Sequence, residues 1–313
     1  MKAHMIETIH IEGFKGFTDT TIGPLRKVNL IVGGQNVGKT SLLEAVFLTL
    51  GNGNFISPFR PNEGGDTGRF VHNAFGSHFR IIEVKDDEGD FVKIADNLMT
   101  IGNFEHIGHF FQVAPLGSHG IWSTQGSSTR PPVSIPLFLP HQASLVQLFG
   151  SMVVARKKRD LIDMLKQVEP RLISLDAVSP DGEQRIYAEI EGVAQALPLP
   201  ELGHGFARLL YLFCTLLSTD AKLALIDEVE SGVHYSALPT LLQGIKNVAN
   251  QREVQTIMTT HSWDCIRAAC EVFADSPDDF QVIRLERTEN NIRAVNIEGD
   301  RMLRLLAEDR EVR

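Results

Sequence analysis

A glycine-rich segment between an apolar strand and a helix constrains this chain more than any other feature. Val28–Val32 predicts a buried strand, and Lys39–Leu50 predicts a helix with an apolar side. The segment between them satisfies the pattern GxxxxGK[ST], whose backbone N–H groups and helix N-terminus bind phosphate oxygens. We therefore expect a nucleotide to be bound by Gly33, Gly34, Gln35, Asn36, Val37, Gly38, Lys39, Thr40 and Ser41.

We expect the side chains that follow two strand ends to have separate chemical roles. Lys39 would reach the β and γ phosphates, and Thr40 would offer its hydroxyl to Mg²⁺. A second apolar strand, Leu223–Ile226, delivers Asp227 and Glu228 to the edge where open α/β sheets bind ligands. We expect Asp227 to hold the Mg²⁺ shell and Glu228 to polarise the attacking water. The expected cofactors are ATP and Mg²⁺, with Lys39 and Glu228 as catalytic residues.

Two further elements complete a fixed order along the chain. The turn Gly203-His204-Gly205 precedes an apolar helix expected over residues 206–217, and His261 follows a third buried strand expected over residues 254–259. His261 would contact the γ-phosphate from the edge of the site, which makes it a third catalytic candidate. A GTPase would need an NKxD base-reading segment, and a ring-forming AAA+ motor would need an arginine finger and sensor residues; the sequence offers neither. The order instead predicts an ATPase whose site closes between two copies.

The same segments resemble a known group of proteins. Residues 33–45 resemble the phosphate loop and helix of the RecF, SMC and OLD (overcoming lysogenization defect) ABC-type ATPases, and residues 9–17 are similar to the first strand of that group. Residues 225–235 and 260–266 resemble the stand-alone OLD-like bacterial ATPases most closely. The resemblance implies an α/β fold of the ABC-type P-loop ATPase head. Such a head has a mixed, largely parallel core sheet flanked by helices, an N-terminal antiparallel β subdomain and a short helical insertion.

The signature turn departs from the pattern of this group. ABC ATPases usually have a serine before the glycine pair, and its hydroxyl touches the γ-phosphate bound by the opposite subunit. Aligning Gly205 with the second glycine places Gly203 at the serine position and His204 at the first glycine. The contact to a neighbour's nucleotide would then come from backbone N–H groups of residues 203–206 and the N-terminus of the following helix, helped by His204. A plain glycine turn before a core helix is the alternative interpretation.

We expect one ABC-type ATPase domain over residues 1–313, with residues 51–200 as a variable insertion and helical lobe. Long members of the group carry a coiled coil at this point, whereas this sequence has no sustained heptads and predicts a compact antiparallel sheet. Gln112 and Gln142 are both candidates for the glutamine that links the two lobes of ABC proteins. The strand candidates in and around this range are 79–85, Phe91–Ala95, Arg185–Ile190 and 281–285.

Charge and composition limit the partners and the location. The net charge of −9 argues against a chain-wide coating of nucleic acid. The basic residues 156–159 open a helix expected to reach residue 167, and both a solvated helix end and a DNA phosphate contact remain open for them.

The histidines between His72 and His119 form no recognisable metal site. Apolar runs are too short for a membrane helix, the first residues lack a signal-peptide pattern, and the three cysteines suit a reducing compartment, so we expect a cytoplasmic protein without a membrane partner.

The resemblance also implies how such a protein acts. Full-length OLD nucleases append a Toprim domain with a glutamate and a DxD metal pair, which the residues after 285 do not supply. We expect an ATP-hydrolysing homo-oligomer that dimerises around nucleotide and controls a nucleic-acid-directed effector, such as a separately encoded Toprim nuclease, in phage defence or DNA repair. The alternative is a slowly hydrolysing, ATP-bound scaffold that holds or releases a protein partner without binding nucleic acid.

Overall fold

A computed structural model describes residues 5–50, 81–86, 91–95, 98–102, 133–135, 142–218 and 222–297. The strands in chain order are β1 (Ile6–Phe14), β2 (Phe17–Ile22), β3 (Val28–Val32), β4 (Ile81–Asp86), β5 (Phe91–Ala95), β6 (Leu98–Gly102), β7 (Val133–Ile135), β8 (Leu172–Val178), β9 (Arg185–Ile190), β10 (Leu197–Pro198), β11 (Leu223–Ile226), β12 (Gln255–Thr259), β13 (Phe280–Arg287) and β14 (Ile292–Ile297). The α-helices are α1 (Lys39–Leu50), α2 (Gln142–Val154), α3 (Lys158–Lys166), α4 (His204–Ser218), α5 (Leu238–Arg252) and α6 (Trp263–Val272).

The central sheet brings three functional strand ends together. Its order is β14-β13-β3-β12-β11-β7; the last five strands of this order run parallel, and β14 pairs antiparallel with β13. Because β12 lies between β3 and β11, the carboxyl ends of these three strands meet at one edge, where ligands of α/β sheets bind. The phosphate loop, His261 and the Asp227-Glu228 pair follow those ends.

Apolar clusters cover both faces of the central sheet. Every residue of β3 and β11 is buried, as the continuous apolar runs predicted. Leu30 packs into the cluster formed with α2 to α6, whereas its neighbour Ile31 packs into the cluster formed with α1, β1 and β2. This alternation fixes the sheet between a helical layer and the N-terminal strands, and thereby fixes the position of the phosphate loop.

Two antiparallel sheets flank this centre. The first has the order β2-β1-β4-β5-β6 and confirms the expected antiparallel N-terminal strands. Its strands β4 to β6 come from residues that we assigned to the insertion, so part of that range completes the N-terminal sheet. The second has the order β10-β9-β8 and contacts α2 and α3. Together with α2 and α3, it forms the antiparallel and helical part expected before the signature turn.

The basic segment begins its helix later than we expected. Arg156 lies in the left-handed region with φ 58°, so α3 starts only at Lys158. Lys157 donates to the carbonyl oxygen of Leu217 at 2.7 Å, and Lys158 pairs with Asp176 at 2.6 Å. These two side chains are thus engaged within the chain, which favours a solvated helix end over a DNA-contacting patch.

Several sequence predictions fall outside the described residues. All the histidines between His72 and His119 lie there, as does Gln112. Gln142 is the first residue of α2, and its linking role stays a prediction. In the described part of the chain, no helix has the length and apolar character needed to cross a membrane.

Candidate nucleotide site

The phosphate loop adopts a backbone conformation that depends on glycine. Gly33 has φ 145° and Gly38 has φ 104°, and a β-carbon on Gly33 would come within 2.6 Å of the carbonyl oxygen of Leu285. The Lys39 ammonium folds back over the loop, where it donates to the carbonyl oxygens of Gly33 at 2.7 Å and Gly34 at 2.8 Å. The ammonium is therefore held at the loop, next to the predicted position of the phosphates.

Lys39 shares its environment with three carboxylates. Burial lowers the pKa of Lys39, while the negative charges of Glu228, Glu230 and Asp227 act in the opposite direction. This edge of the sheet thus carries more negative than positive charge near the ammonium. A bound triphosphate needs additional positive charge, which a divalent cation supplies.

Thr40 and Asp227 present converging oxygen atoms that fit such a cation. Thr40 Oγ1 lies 3.2 and 3.1 Å from the two carboxylate oxygens of Asp227, and Thr259 Oγ1 donates to Asp227 Oδ1 at 2.7 Å. Burial raises the pKa of Asp227, while these two hydroxyl contacts lower it. The described residues contain no group of three or more His, Cys, Asp or Glu side chains that could hold a metal. Two protein oxygens suit Mg²⁺, which is usually held partly by substrate phosphates and water.

Glu228 occupies a strained turn directly after β11. Its φ is 43°, a left-handed value that is uncommon for a residue with a side chain. Its N–H donates to Thr259 Oγ1 at 2.8 Å. Arg208 Nη2 donates to the carbonyl oxygens of Asp227 at 2.7 Å and Glu228 at 2.9 Å. Neighbouring elements therefore fix the backbone that carries both acids.

Sequence reasoning did not identify Arg208 or the part played by Thr259. Arg208 lies buried in the otherwise apolar α4, where burial lowers the pKa of its guanidinium and the charge of Asp227 opposes that shift. The sequence did contain a signal for this contact: a charged residue stands inside an apolar helix, and buried arginines are rare unless they have a partner. The pairing of Thr259 with Asp227 required knowledge of the strand order.

His261 lies among the acids of the site. Its side chain is 49% exposed, and its Nδ1 lies 3.8 Å from Glu228 Oε1 and 3.4 Å from Glu230 Oε1. The structure thus brings His261 to Glu228, as the adjacency of β11 and β12 requires. Its role toward the γ-phosphate stays a prediction. Glu230 was absent from the predicted site, although it stands only two residues after Glu228.

The signature turn is connected to the loop that follows Glu228. Gly203 is exposed with φ 87°, and α4 begins at His204, so His204 and Gly205 belong to the first helical turn and not to a preceding loop. A β-carbon on Gly205 would overlap the carbonyl oxygen of Gly232. Gly205 thus permits close backbone packing inside one chain, while contact of the turn with a neighbour's nucleotide stays a prediction.

Comparison with protein families agrees with this geometry. A family model described as "AAA domain, putative AbiEii toxin, Type IV TA system" matches residues 106–264, which is 159 of the 313 residues. The chain belongs to this AAA domain family. A second model, described as "AAA ATPase domain", matches residues 5–106 of the same AAA protein. The two matches together include the phosphate loop, the acidic strand end and His261, and they identify the chain as an ATPase.

Two curated relatives of this AAA ATPase handle nucleotides or DNA according to their names. The "ATP/GTP phosphatase" of Helicobacter pylori is 22% identical over 337 residues, covering 87% of this chain and 89% of the relative. The "DNA replication and repair protein RecF" of Idiomarina loihiensis is 43% identical over 53 residues, covering 17% of this chain and 15% of that protein. The RecF similarity is therefore local.

Solved structures show that the AAA ATPase has the fold of an SMC head. The Smc head domain from Pyrococcus furiosus, which was solved with an extended coiled coil and bound to the C-terminal domain of ScpA, superposes with a TM-score of 0.58 at 12% identity. The alignment covers 99% of this chain and 100% of that chain. The expected ABC-type P-loop head, with a mixed sheet, flanking helices and antiparallel N-terminal strands, is confirmed.

Proposed function

We propose that this ATPase dimerises around Mg²⁺-ATP and uses hydrolysis as a switch on a nucleic-acid-directed effector. The observation that supports the proposal most is the arrangement of the ends of β3, β12 and β11. Lys39, the Thr40–Asp227 pair and Glu228 converge there, while Gly203 and His204 lie exposed at the start of α4. Each protomer thus carries a phosphate site and an exposed signature turn. In a dimer, the turn of each copy would complete the phosphate site of the other.

Each residue has a defined part in the proposed reaction. The Lys39 ammonium exchanges the carbonyl oxygens of Gly33 and Gly34 for the β and γ phosphates. Thr40 and Asp227 would hold Mg²⁺, whose charge would offset the negative charge of the phosphates. The Glu228 carboxylate orients the attacking water and accepts its proton. His261 contacts the γ-phosphate from the side of β12.

The proposed effector control rests on similarity. The resemblance of residues 225–235 to stand-alone OLD-like ATPases supports a role in phage defence, with a Toprim nuclease as a separately encoded partner. The local RecF similarity supports DNA as the substrate of that system. The Pyrococcus Smc head was solved with ScpA bound, so a head of this fold can carry a partner protein.

A slow scaffold is the second candidate function. Gly203 stands where ABC ATPases usually have serine, so the hydroxyl contact to the opposite γ-phosphate is missing. A weaker contact across the dimer would slow hydrolysis and prolong the ATP-bound state. The protein would then act by holding a partner while ATP is bound, without requiring nucleic acid.

Turnover as a function of protein concentration distinguishes these functions. We expect the specific ATPase activity to rise with protein concentration, because two chains form each site, and to rise further with linear duplex DNA. The scaffold would be favoured by a slow ATPase rate that does not change when DNA is added, together with ATP-dependent retention of a candidate partner. A specific activity that stays constant while the protein remains monomeric would contradict the two-chain site.

A further inference from the structure

Glu230 is a nearly buried carboxylate that contacts His261 twice. Its side chain is 10% exposed, and its Oε1 accepts a hydrogen bond from the backbone N–H of His261 at 3.1 Å. The same oxygen lies 3.4 Å from Nδ1 of the His261 ring. The carboxylate therefore anchors the backbone of this histidine and lies beside one of its ring nitrogens.

The second oxygen of Glu230 points to a functional constraint. Glu230 Oε2 is buried and has no hydrogen-bond partner among the described groups. A buried carboxylate oxygen without a partner destabilises a fold, so a purely structural link between β11 and β12 would be served better by a neutral side chain. Such groups are rare in native proteins, and a catalytic role is one recognised reason for their presence.

The charges around the pair define what Glu230 does to the ring. Nδ1 of His261 faces the carboxylates of Glu230 and Glu228, and the cations near these acids are Lys39 and Arg208. A carboxylate beside Nδ1 favours the tautomer with its proton on that nitrogen, where the ring can donate to the carboxylate. Nε2 is then the ring nitrogen left to meet a ligand.

We propose that Glu230 is a positioning residue for ATP hydrolysis, which orients His261 and fixes its tautomer so that Nε2 is presented to the γ-phosphate. The inference rests on the proposed role of His261. In this role Glu230 affects hydrolysis through His261 and does not touch the nucleotide. Removing the Glu230 charge should therefore slow the chemical step and leave ATP binding unchanged.

A double-mutant cycle tests this coupling. We would measure kcat and KM for ATP in the wild type, Glu230→Gln, His261→Gln and the double variant. Glu230→Gln should lower kcat by about tenfold or more at unchanged KM, by analogy with the loss of a carboxylate that orients a metal-binding histidine. The double variant should be no slower than His261→Gln alone, because Glu230 has nothing left to orient.

Two controls keep the outcome interpretable. Asp264→Asn removes an exposed carboxylate three residues after His261 and should leave kcat unchanged, which excludes a general charge effect. Glu230→Asp keeps the charge but shortens the reach, so it should also lower kcat; it replaces Glu230→Gln if that variant does not fold.

The double-mutant cycle distinguishes failure of the inference about Glu230 from failure of the proposed role of His261. Wild-type turnover in His261→Gln would remove the proposed role of the histidine itself. If His261→Gln is slow and Glu230→Gln slows it further by the same factor as in the wild type, only the inference about Glu230 is overturned. Wild-type kcat in Glu230→Gln would overturn it as well.

Discussion

The backbone of Gly232 occupies the space that a side chain on Gly205 would need. This packing connects the signature turn at the start of α4 to the loop that follows Glu228. Arg208, one helical turn further along α4, donates to the carbonyl oxygens of Asp227 and Glu228. The signature turn and the chain's own acidic strand end are therefore linked through α4 and the loop after Glu228.

Gly205→Ala should disrupt this connection. The added methyl group overlaps a carbonyl oxygen of the backbone, so the turn and the loop must move apart, at a cost of about 1–3 kcal/mol. We expect a lower melting temperature and a loss of ATPase activity. Gly150→Ala in α2 is the control, since nothing lies within 4 Å of its β-carbon and alanine favours a helix by about 0.5–1 kcal/mol. Equal melting temperatures in Gly205→Ala and the wild type would contradict the packing.

Lys39→Ala should abolish nucleotide binding. The variant loses the only charge that the phosphate loop itself offers to the β and γ phosphates. Binding can be measured with a fluorescent ATP analogue, and turnover by phosphate release. Lys27→Ala serves as the control, because Lys27 precedes β3 and contacts Asn250 at the opposite end of that strand. Retained ATPase activity in Lys39→Ala would remove the phosphate-loop assignment.

Glu228→Gln should bind ATP but hydrolyse it slowly. The amide cannot accept the proton of the attacking water, which costs at least about a hundredfold in rate. The side chain keeps its shape, so the left-handed turn and the contacts to Thr259 should persist. Single-turnover hydrolysis and equilibrium binding separate the two effects. A wild-type rate would move the catalytic carboxylate to another residue.

The three cysteines should resist alkylation in the folded protein. Burial raises the pKa of Cys214 and Cys270 to about 12, and raises that of Cys265 as well. At pH 8, only about one in ten thousand thiols with such a pKa is ionised, against roughly a quarter at the usual pKa near 8.5. Because unfolded thiols lose protons at lower pH than folded ones, the free energy of unfolding should also fall above about pH 8.5.

Mass spectrometry after iodoacetamide treatment checks this expectation. Native protein at pH 8 should remain unmodified over a period in which urea-unfolded protein is fully labelled. Rapid labelling of the native protein would show that at least one of these thiols is accessible.

Local patterns predicted the secondary structure near the site closely. Val28–Val32, Lys39–Leu50 and Leu223–Ile226 have the predicted bounds, because apolar runs end where glycine or charged residues begin. The same holds for Phe91–Ala95 and Arg185–Ile190. The helix at the basic segment was less predictable, because Arg156 takes a left-handed conformation that its residue type does not signal.

Contacts between distant segments could not be predicted in the same way. Thr259 reaches Asp227 only because β12 lies between β3 and β11, an order that differs from the order along the chain. Arg208 reaches Asp227 because of the way α4 packs on the sheet. The sequence thus predicted which residues would carry the chemistry, whereas the residues that orient them depend on tertiary packing.

The solution mass of Glu228→Gln, with and without Mg²⁺-ATP, tests the two-chain site most directly. Light scattering should show a monomer that becomes a dimer or larger assembly on adding Mg²⁺-ATP, because slow hydrolysis preserves the ATP-bound state. Lys39→Ala should show no such change. A Glu228→Gln protein that binds ATP and remains monomeric would contradict the proposal that two copies close the site.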